Sequence, residues 1–217
     1  MKLIWPHLEN KTHIIWDWNG TLLDDTALMV DVIGDILQSH GKKRITLQNY
    51  IDLFRFPVKD YYRSLGFDFE KVSFETLSEQ FTAGYKAGLV NTQLHRGMKD
   101  FLAQIDAAHI SQSVLSAAHE VYLEEQLEYF GIRHYFKHVY GLKDFHAKGK
   151  LDRGKQLMAE TQMPRNSTIL IGDTDHNLEV GMTLGVEVLI LADGHQSYRR
   201  LHSKHTRTLE SRYSTVD

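Results

Sequence analysis

The stretch His13-Ile14-Ile15-Trp16-Asp17-Trp18-Asn19-Gly20-Thr21-Leu22-Leu23-Asp24 starts with a short apolar run, ends that run on an acid and breaks it with a glycine. Such a run, closed by a turn signal, reads as a buried strand feeding a loop. The rhythm returns after Gly97. Met98, Phe101, Leu102 and Ile105 mark a helix, and residues 110–115 read as a strand ending at Ser116. Leu123, Leu127 and Phe130 lie on a second helix that Gly131 closes. Residues 136–141 read as a strand, 151–161 as a helix, and 168–171 as a strand running into Gly172-Asp173. A helix over 178–184, Gly185 and a strand over 186–191 follow. Strands alternating with helices mean a parallel sheet with right-handed crossovers.

Between these two parts the pattern is wholly helical. Leu28, Val32, Ile33, Ile36 and Leu37 share one face of a helix over 27–38. Residues 45–87 keep the helical pattern, punctuated by Pro57 and Gly66 and ending on Phe74, Leu77, Phe81 and Tyr85. The chain therefore divides into an α/β part (1–24 and 95–195), an all-helical insertion (25–94) and a terminal helix with tail (196–217). No internal repeat is visible.

Composition sets limits on function. The 217 residues exceed one domain of ~150 by a fraction, and 42% hydrophobic residues suffice for a sizeable core. The absence of cysteine excludes disulfides, thiolate zinc sites and a cysteine nucleophile. A net charge of -3 gives no general attraction to nucleic acid or acidic membranes. Leu3-Ile4-Trp5 before Pro6 is too short for a signal peptide, and no run is long enough to span a membrane. The expectation is a cytoplasmic monomer or weak homodimer with no nucleic-acid or membrane partner. Arg199, Arg200, Lys204, Arg207 and Arg212 read as a solvated helix and frayed tail rather than a partner patch.

Parallel sheets hold ligands at the carboxyl ends of their strands. Asp17, Ser116 and Asp173 fall there, with Lys148 and Lys150 before a helix between the last two. Singly, each has a plain structural reading: a turn or helix-cap acid, an N-cap serine, surface lysines, a turn-initiating acid. Gathered on one edge, two carboxylates, a hydroxyl and a lysine suit a phosphate and a hard cation. Carboxylates and carbonyls bind Mg²⁺, and serine and lysine hold the remaining phosphoryl oxygens.

These residues also carry a resemblance. Asp17 to Asp24 after an apolar strand resembles the first motif of the haloacid dehalogenase-like hydrolase superfamily. Ser116 after Ser113-Val114-Leu115 resembles the second, Lys148 or Lys150 the third, and Ile171-Gly172-Asp173-Thr174-Asp175 the fourth. Their order, with a helical insertion directly after the first, is similar to the phosphoglycolate phosphatase-like branch and covers residues 12–195. The resemblance implies a Rossmann-like, three-layer α/β core with a parallel sheet and an inserted all-helical cap. It implies a Mg²⁺-dependent phosphatase that hydrolyses a small phosphorylated metabolite through an aspartyl-phosphate. Asp17 would be the nucleophile, a task a carboxylate performs without first losing a proton. Asp17, Asp173 and the backbone carbonyl of Asn19 would ligate Mg²⁺. Ser116, the amide of Ala117 and the lysine would cradle the phosphoryl group. Lys150 is preferred, since it directly precedes the helix beginning near Leu151. The cap would exclude water and contact the leaving group.

Two positions depart from the family's pattern. Its phosphatases usually have an aspartate two residues after the nucleophile, acting as acid to the leaving group and base to the water; Asn19 stands here and can do neither. The second acid of the fourth motif is replaced by Asn177. Asp175 could stand in for it, or the Asn177 amide oxygen could hold a metal-bound water. Losing a general acid/base costs ~10²- to 10⁴-fold, which a good leaving group such as an acyl phosphate would tolerate. Two rivals follow: a weakened module that binds a phosphorylated ligand or partner, and a metal-independent dehalogenase. Asp24 and Asp25 read as hinge solvation before substrate contact. His119 and His176 read as surface groups before proton shuttles. His134, His138 and His146 match no metal motif. Trp16, Trp18, Phe54, Phe56, Tyr61 and Tyr62 read as packing.

Overall fold

The computed structural model describes residues 1–143 and 149–213. In chain order the elements are β1 (His13–Trp16), β2 (Leu23–Asp24), α1 (Thr26–Ser39), α2 (Leu47–Leu53), α3 (Val58–Ser64), α4 (Phe74–Gly88) and β3 (Gln93–Leu94). Then come α5 (Met98–Ala107), β4 (Ser111–His119), α6 (Glu120–Tyr129), β5 (His138–Leu142) and α7 (Lys150–Thr161). The chain closes with β6 (Thr168–Gly172), α8 (Asp175–Leu184), β7 (Glu187–Leu191), α9 (Tyr198–His202) and β8 (Thr208–Leu209).

Six strands form one parallel sheet in the order β5-β4-β1-β6-β7-β8. The first-read strand is at its centre, with Ile15 opposite Ser113 on one side and Leu170 on the other. Successive strand side chains point to opposite faces. Ile14 and Trp16 therefore join Phe101, Leu102 and Leu127 in one core, and Ile15 joins Leu157, Val180 and Leu184 in another. All four residues of β1 are buried. Full burial of side chains this size contributes about 1.5–3 kcal/mol each, which explains why helices must cover both faces. From β1 the chain builds outward through β4 and β5, then returns to β6 and builds the other way. The crevice at such a reversal lies beyond the carboxyl ends of the strands.

The helical insertion starts and ends on a small antiparallel ribbon in which Leu23 pairs with Leu94. Helices α1 to α4 enclose a third core, with Ile33, Ile36, Tyr50, Tyr61, Tyr62 and Leu77 at its centre. Thr46 and Ser73 cap α2 and α4 by accepting from the N–H groups of Asn49 and Thr76.

The structure departs from the sequence reading at three places. Strand β4 does not stop at Ser116 but continues to His119, with a register shift after Leu115. The two-residue strands β2 and β3 were not anticipated, because two residues show no periodicity. The C-terminal stretch has a solvated helix face, with Arg199 and His202 exposed, but it is not a frayed tail as far as Tyr213. Its helix is a short one, β8 extends the sheet beside β7, and Arg212 is wholly buried.

Candidate active site

The backbone N–H of Asp17 donates to Ile171 O at 2.9 Å, so the parallel ladder carries the acid to the end of the sheet. Three N–H groups, of Thr21, Leu22 and Leu23, then converge on the Trp18 carbonyl at 2.9–3.3 Å. A turn this tight needs a left-handed residue, and Gly20 supplies φ +68°. Both tryptophans anchor the loop, Trp16 by donating to Gln112 at 3.0 Å and Trp18 to Gln126 at 2.7 Å.

Asp17 Oδ1 accepts from the Trp18 N–H at 2.8 Å and faces Lys150 Nζ at 2.5 Å. Its Oδ2 accepts from Asn177 Nδ2 at 2.9 Å. Lys150 is the first residue of α7 and is buried, so the lysine preferred from the sequence reaches the acid. Lys148, the alternative, and His146 lie outside the described residues. Ser116 stands on the adjacent strand, level with the end of β1, since Val114 pairs with Trp16. Its buried hydroxyl accepts from the Ala118 N–H at 3.0 Å, while Ala117 is exposed. Helix α6 begins only at Glu120, so Ser116 does not cap it.

Asp173 follows β6 and is fully buried. Its Oδ1 accepts from the Thr21 hydroxyl at 3.1 Å and its Oδ2 from the His195 backbone N–H at 2.7 Å. Two glycines let backbone close over it: a Cβ at Gly20 would lie 2.2 Å, and one at Gly194 2.3 Å, from Oδ2. Burial, with the Asp17 charge adding to it and His195 opposing it, lifts this carboxyl to about 6.

The structure corrects both substitutes for the missing second acid. Asn177 Oδ1 accepts from Thr174 N–H at 3.0 Å, Thr174 Oγ1 at 2.6 Å and Asp173 N–H at 3.2 Å. That oxygen is taken up by three donors at the α8 cap, and the amide turns its N–H to Asp17. Asp175 turns away toward α9, accepting from Gln196 at 2.9 Å, Arg200 at 2.8 Å and Lys204 at 2.6 Å. Burial opposes its ionisation, yet these donors hold it at about 2.

A second charged knot lies behind the loop. Asp25 is fully buried and accepts from Gly20 N–H at 2.8 Å, Asn19 Nδ2 at 2.7 Å and Tyr85 OH at 2.7 Å. Asn19 Nδ2 also donates to Tyr85 OH at 2.8 Å. His195 Nε2 is 3.2 Å from Asp25 Oδ1 without hydrogen-bond alignment, and Nδ1 meets Tyr50 OH at 3.1 Å. Burial disfavours a charged imidazole, but Asp25, then Asp173 and Asp17, outweigh it and raise His195 to about 9. Burial likewise opposes the Asp25 charge, and His195, Tyr85 and Asn19 overcome it, keeping the carboxyl below its ordinary range.

The reading of Asp25 as hinge solvation is therefore replaced by a buried hub, and His195 was not singled out at all. Asp25 precedes α1, where an acid reads as an N-cap, but its side chain makes no cap bond. His195 follows β7 at the same sheet edge as the other site residues. Extending the strand-end criterion to Asp193-Gly194-His195-Gln196 would have found it. His176 packs against Phe56 with ring centroids 4.7 Å apart, and His119 against Tyr122 at 5.4 Å. Among the described residues no cluster of three or more histidine or acidic side chains is arranged for a metal. The smaller set of Asp17 and Asp173 still suits a hard cation. Both offer carboxyl oxygens at the ends of adjacent parallel strands, and oxygen donors of this kind are what a hard cation takes.

Strand-end acids at the reversal point of a parallel sheet, below a helical insertion, define a Rossmann-like α/β protein of the hydrolase type. The chain belongs to the haloacid dehalogenase-like hydrolase family, whose model matches residues 14–191. Among solved structures it is similar to a predicted phosphatase from Clostridium acetobutylicum, at 18% identity and TM-score 0.77, over 91% of this chain and 92% of that one. It is also similar to Protein Tyrosine Kinase A from Mycobacterium tuberculosis, at 21% identity and TM-score 0.76, over 95% of each chain. A predicted phosphoglycolate phosphatase from Haemophilus somnus matches at 17% identity and TM-score 0.70, over 87% of this chain and 88% of that one. The likeness to these three structures is one of fold. A comparison with curated protein sequences finds no match.

Proposed function

We propose that the protein is a Mg²⁺-dependent phosphatase that hydrolyses a small phosphorylated metabolite through an aspartyl-phosphate on Asp17. The observation that carries this reading is the Asp17 carboxylate at the sheet's reversal point, with Lys150 Nζ 2.5 Å from one oxygen and Asp173 buried after the neighbouring strand. Asp17 attacks phosphorus. Lys150, the Ser116 hydroxyl and the Ala117 amide hold the phosphoryl oxygens as charge shifts among them. Asp17, Asp173 and the Asn19 carbonyl would hold Mg²⁺, which when bound draws charge from the phosphoryl group. Residues 25–94 act as the cap over a core of 1–24 and 95–195, moving on the β2–β3 ribbon.

The test is phosphate release from a panel of phosphorylated metabolites, with and without EDTA, by wild type and Asp17→Asn. The expected result is metal-dependent release that Asp17→Asn lowers by more than about 10³-fold. Full activity in Asp17→Asn would overturn the nucleophile. Dehalogenation that persists in EDTA would establish the metal-independent rival.

A further inference from the structure

The phosphatase reading leaves open which bond the site can break, and the contacts of Asn19 bear on it. Building on that reading, we infer that the site is selective for phosphoryl donors whose leaving group departs as a stable anion: acyl phosphates, phosphoanhydrides and phosphates of acidic hydroxyls. The ground is the set of hydrogen bonds around Asn19, which turns the protons of Asn19 and Tyr85 away from the leaving group and onto Asp25.

Asn19 Nδ2 donates to Asp25 Oδ2 at 2.7 Å and to Tyr85 OH at 2.8 Å. Both amide protons are thus used, and the side chain offers any substrate only its acceptor oxygen. Tyr85 accepts from Asn19 and passes its own hydroxyl proton to Asp25 at 2.7 Å. Asp25 is fully buried, accepts three hydrogen bonds, from Asn19, Tyr85 and the Gly20 N–H, and faces the His195 ring at 3.2 Å. The triangle Asn19–Tyr85–Asp25 therefore points the Asn19 amide and Tyr85 hydroxyl protons inward, to each other and to the Asp25 carboxyl oxygen. On the other side of the loop, the contacts of Asp17 are equally committed. The Trp18 N–H, Lys150 and Asn177 Nδ2 all face the nucleophile's own oxygens. Asn177 Oδ1 is taken up by the α8 cap.

The chemistry balances without an acid. An Asp17 oxygen forms a bond to phosphorus, and the bond from phosphorus to the leaving oxygen breaks with its electron pair going to that oxygen. A carboxylate, phosphate or phenolate carries that pair unaided. Water then adds to phosphorus, the aspartyl oxygen takes back its pair, and both water protons leave with the product as dihydrogen phosphate. An alkyl ester would need a proton in the first step, an aid worth ~10²- to 10⁴-fold.

A leaving-group series of matched shape tests this, because the cap meets similar bodies throughout: p-nitrophenyl, phenyl and benzyl phosphate, with acetyl phosphate as the acyl case. Wild-type kcat/KM is expected to fall by at least about 10²-fold from p-nitrophenyl to benzyl phosphate. Values within about tenfold of one another would overturn the inference while leaving the phosphatase reading intact. Tyr85→Phe provides a second readout. A positioning tyrosine predicts equal losses on both esters, and a loss confined to benzyl phosphate would identify Tyr85 as a proton donor and sink the idea. If no ester is cleaved and acetyl phosphate leaves no phosphate on Asp17, the phosphatase reading itself fails, and the inference with it. Asn19→Asp is a poorer probe, since it would set a second carboxylate against Asp25.

Discussion

Gly20 bears two demands that no other residue type meets. Its φ of +68° closes the turn behind the nucleophile, and its bare Cα lets Asp173 Oδ2 and the His195 ring approach to where a Cβ would lie 2.2 and 2.6 Å away. Gly20→Ala is expected to push the loop, and with it the Asn19 carbonyl, away from Asp173. Phosphate release should fall by about 10²-fold, the scale on which ~1 Å of misplacement acts, and urea denaturation should show a loss of about 1–3 kcal/mol. Normal activity in that variant would mean that the Gly20–Asp173 approach is dispensable. In the sequence this glycine reads only as a loop signal. The crowding that makes it necessary comes from residues more than 150 positions away, which no local pattern contains.

The C-terminal elements gain their role through what they touch. Arg212 is wholly buried and forks onto Asp193 through Nε and Nη2 with contacts of 2.7–3.0 Å, while Nη2 also donates to the Gly20 carbonyl and Nη1 to that of Thr21. The preceding stretch reaches the helical insertion: Gln196 Nε2 donates to Phe54 O at 3.0 Å, Arg200 to the same carbonyl at 2.6 Å, and Ser197 N–H to Ile51 O at 3.1 Å. One strap thus braces the nucleophile loop and fastens the end of α2. Arg212→Ala should destabilise by about 3 kcal/mol, because half-buried Asp193 loses its guanidinium partner and the Gly20 and Thr21 carbonyls lose their donors. Removing residues 206–217 should cost at least as much. Denaturation midpoints check both, and an unchanged midpoint in Arg212→Ala would return the segment to the status of a tail. The basic composition of this stretch suggested solvent because lysine and arginine are seldom buried. Only the acid and carbonyls facing Arg212 reverse that preference.

Across the molecule, buried histidines link stability to pH. Burial, aided by the nearby His138 and Lys137, pulls His13 down to about 3, and burial with Arg212 pulls His95 to about 4. Both lie below the ordinary 6.5, so the unfolded chain binds more protons in this interval and stability falls as pH falls. Asp173 and His195 shift the other way, so a difference between variants isolates the effect better than the total. His13→Leu removes one titrating site, whose Nε2 is buried with no partner among the described residues. Between pH 7 and pH 5 the stability gap should move by about 2 kcal/mol in favour of the variant. A gap independent of pH would show that His13 titrates normally.

The sequence alone determined the alternating α/β order, the helical insertion and the strand-end placement of Asp17 and Asp173. Those features are written in local hydrophobic periodicity and in turn residues, which act over a few positions. It also determined that Asn19 and Asn177 stand where the related phosphatases usually have acids. Which way each amide turns was decided only by the tertiary structure: Asn19 toward Asp25 and Tyr85, Asn177 toward its own helix cap and Asp17. The same holds for the buried charges of Asp25, His195 and Arg212. A charged side chain is buried only where distant chain segments bring it a partner, and sequence order does not say which segments will meet.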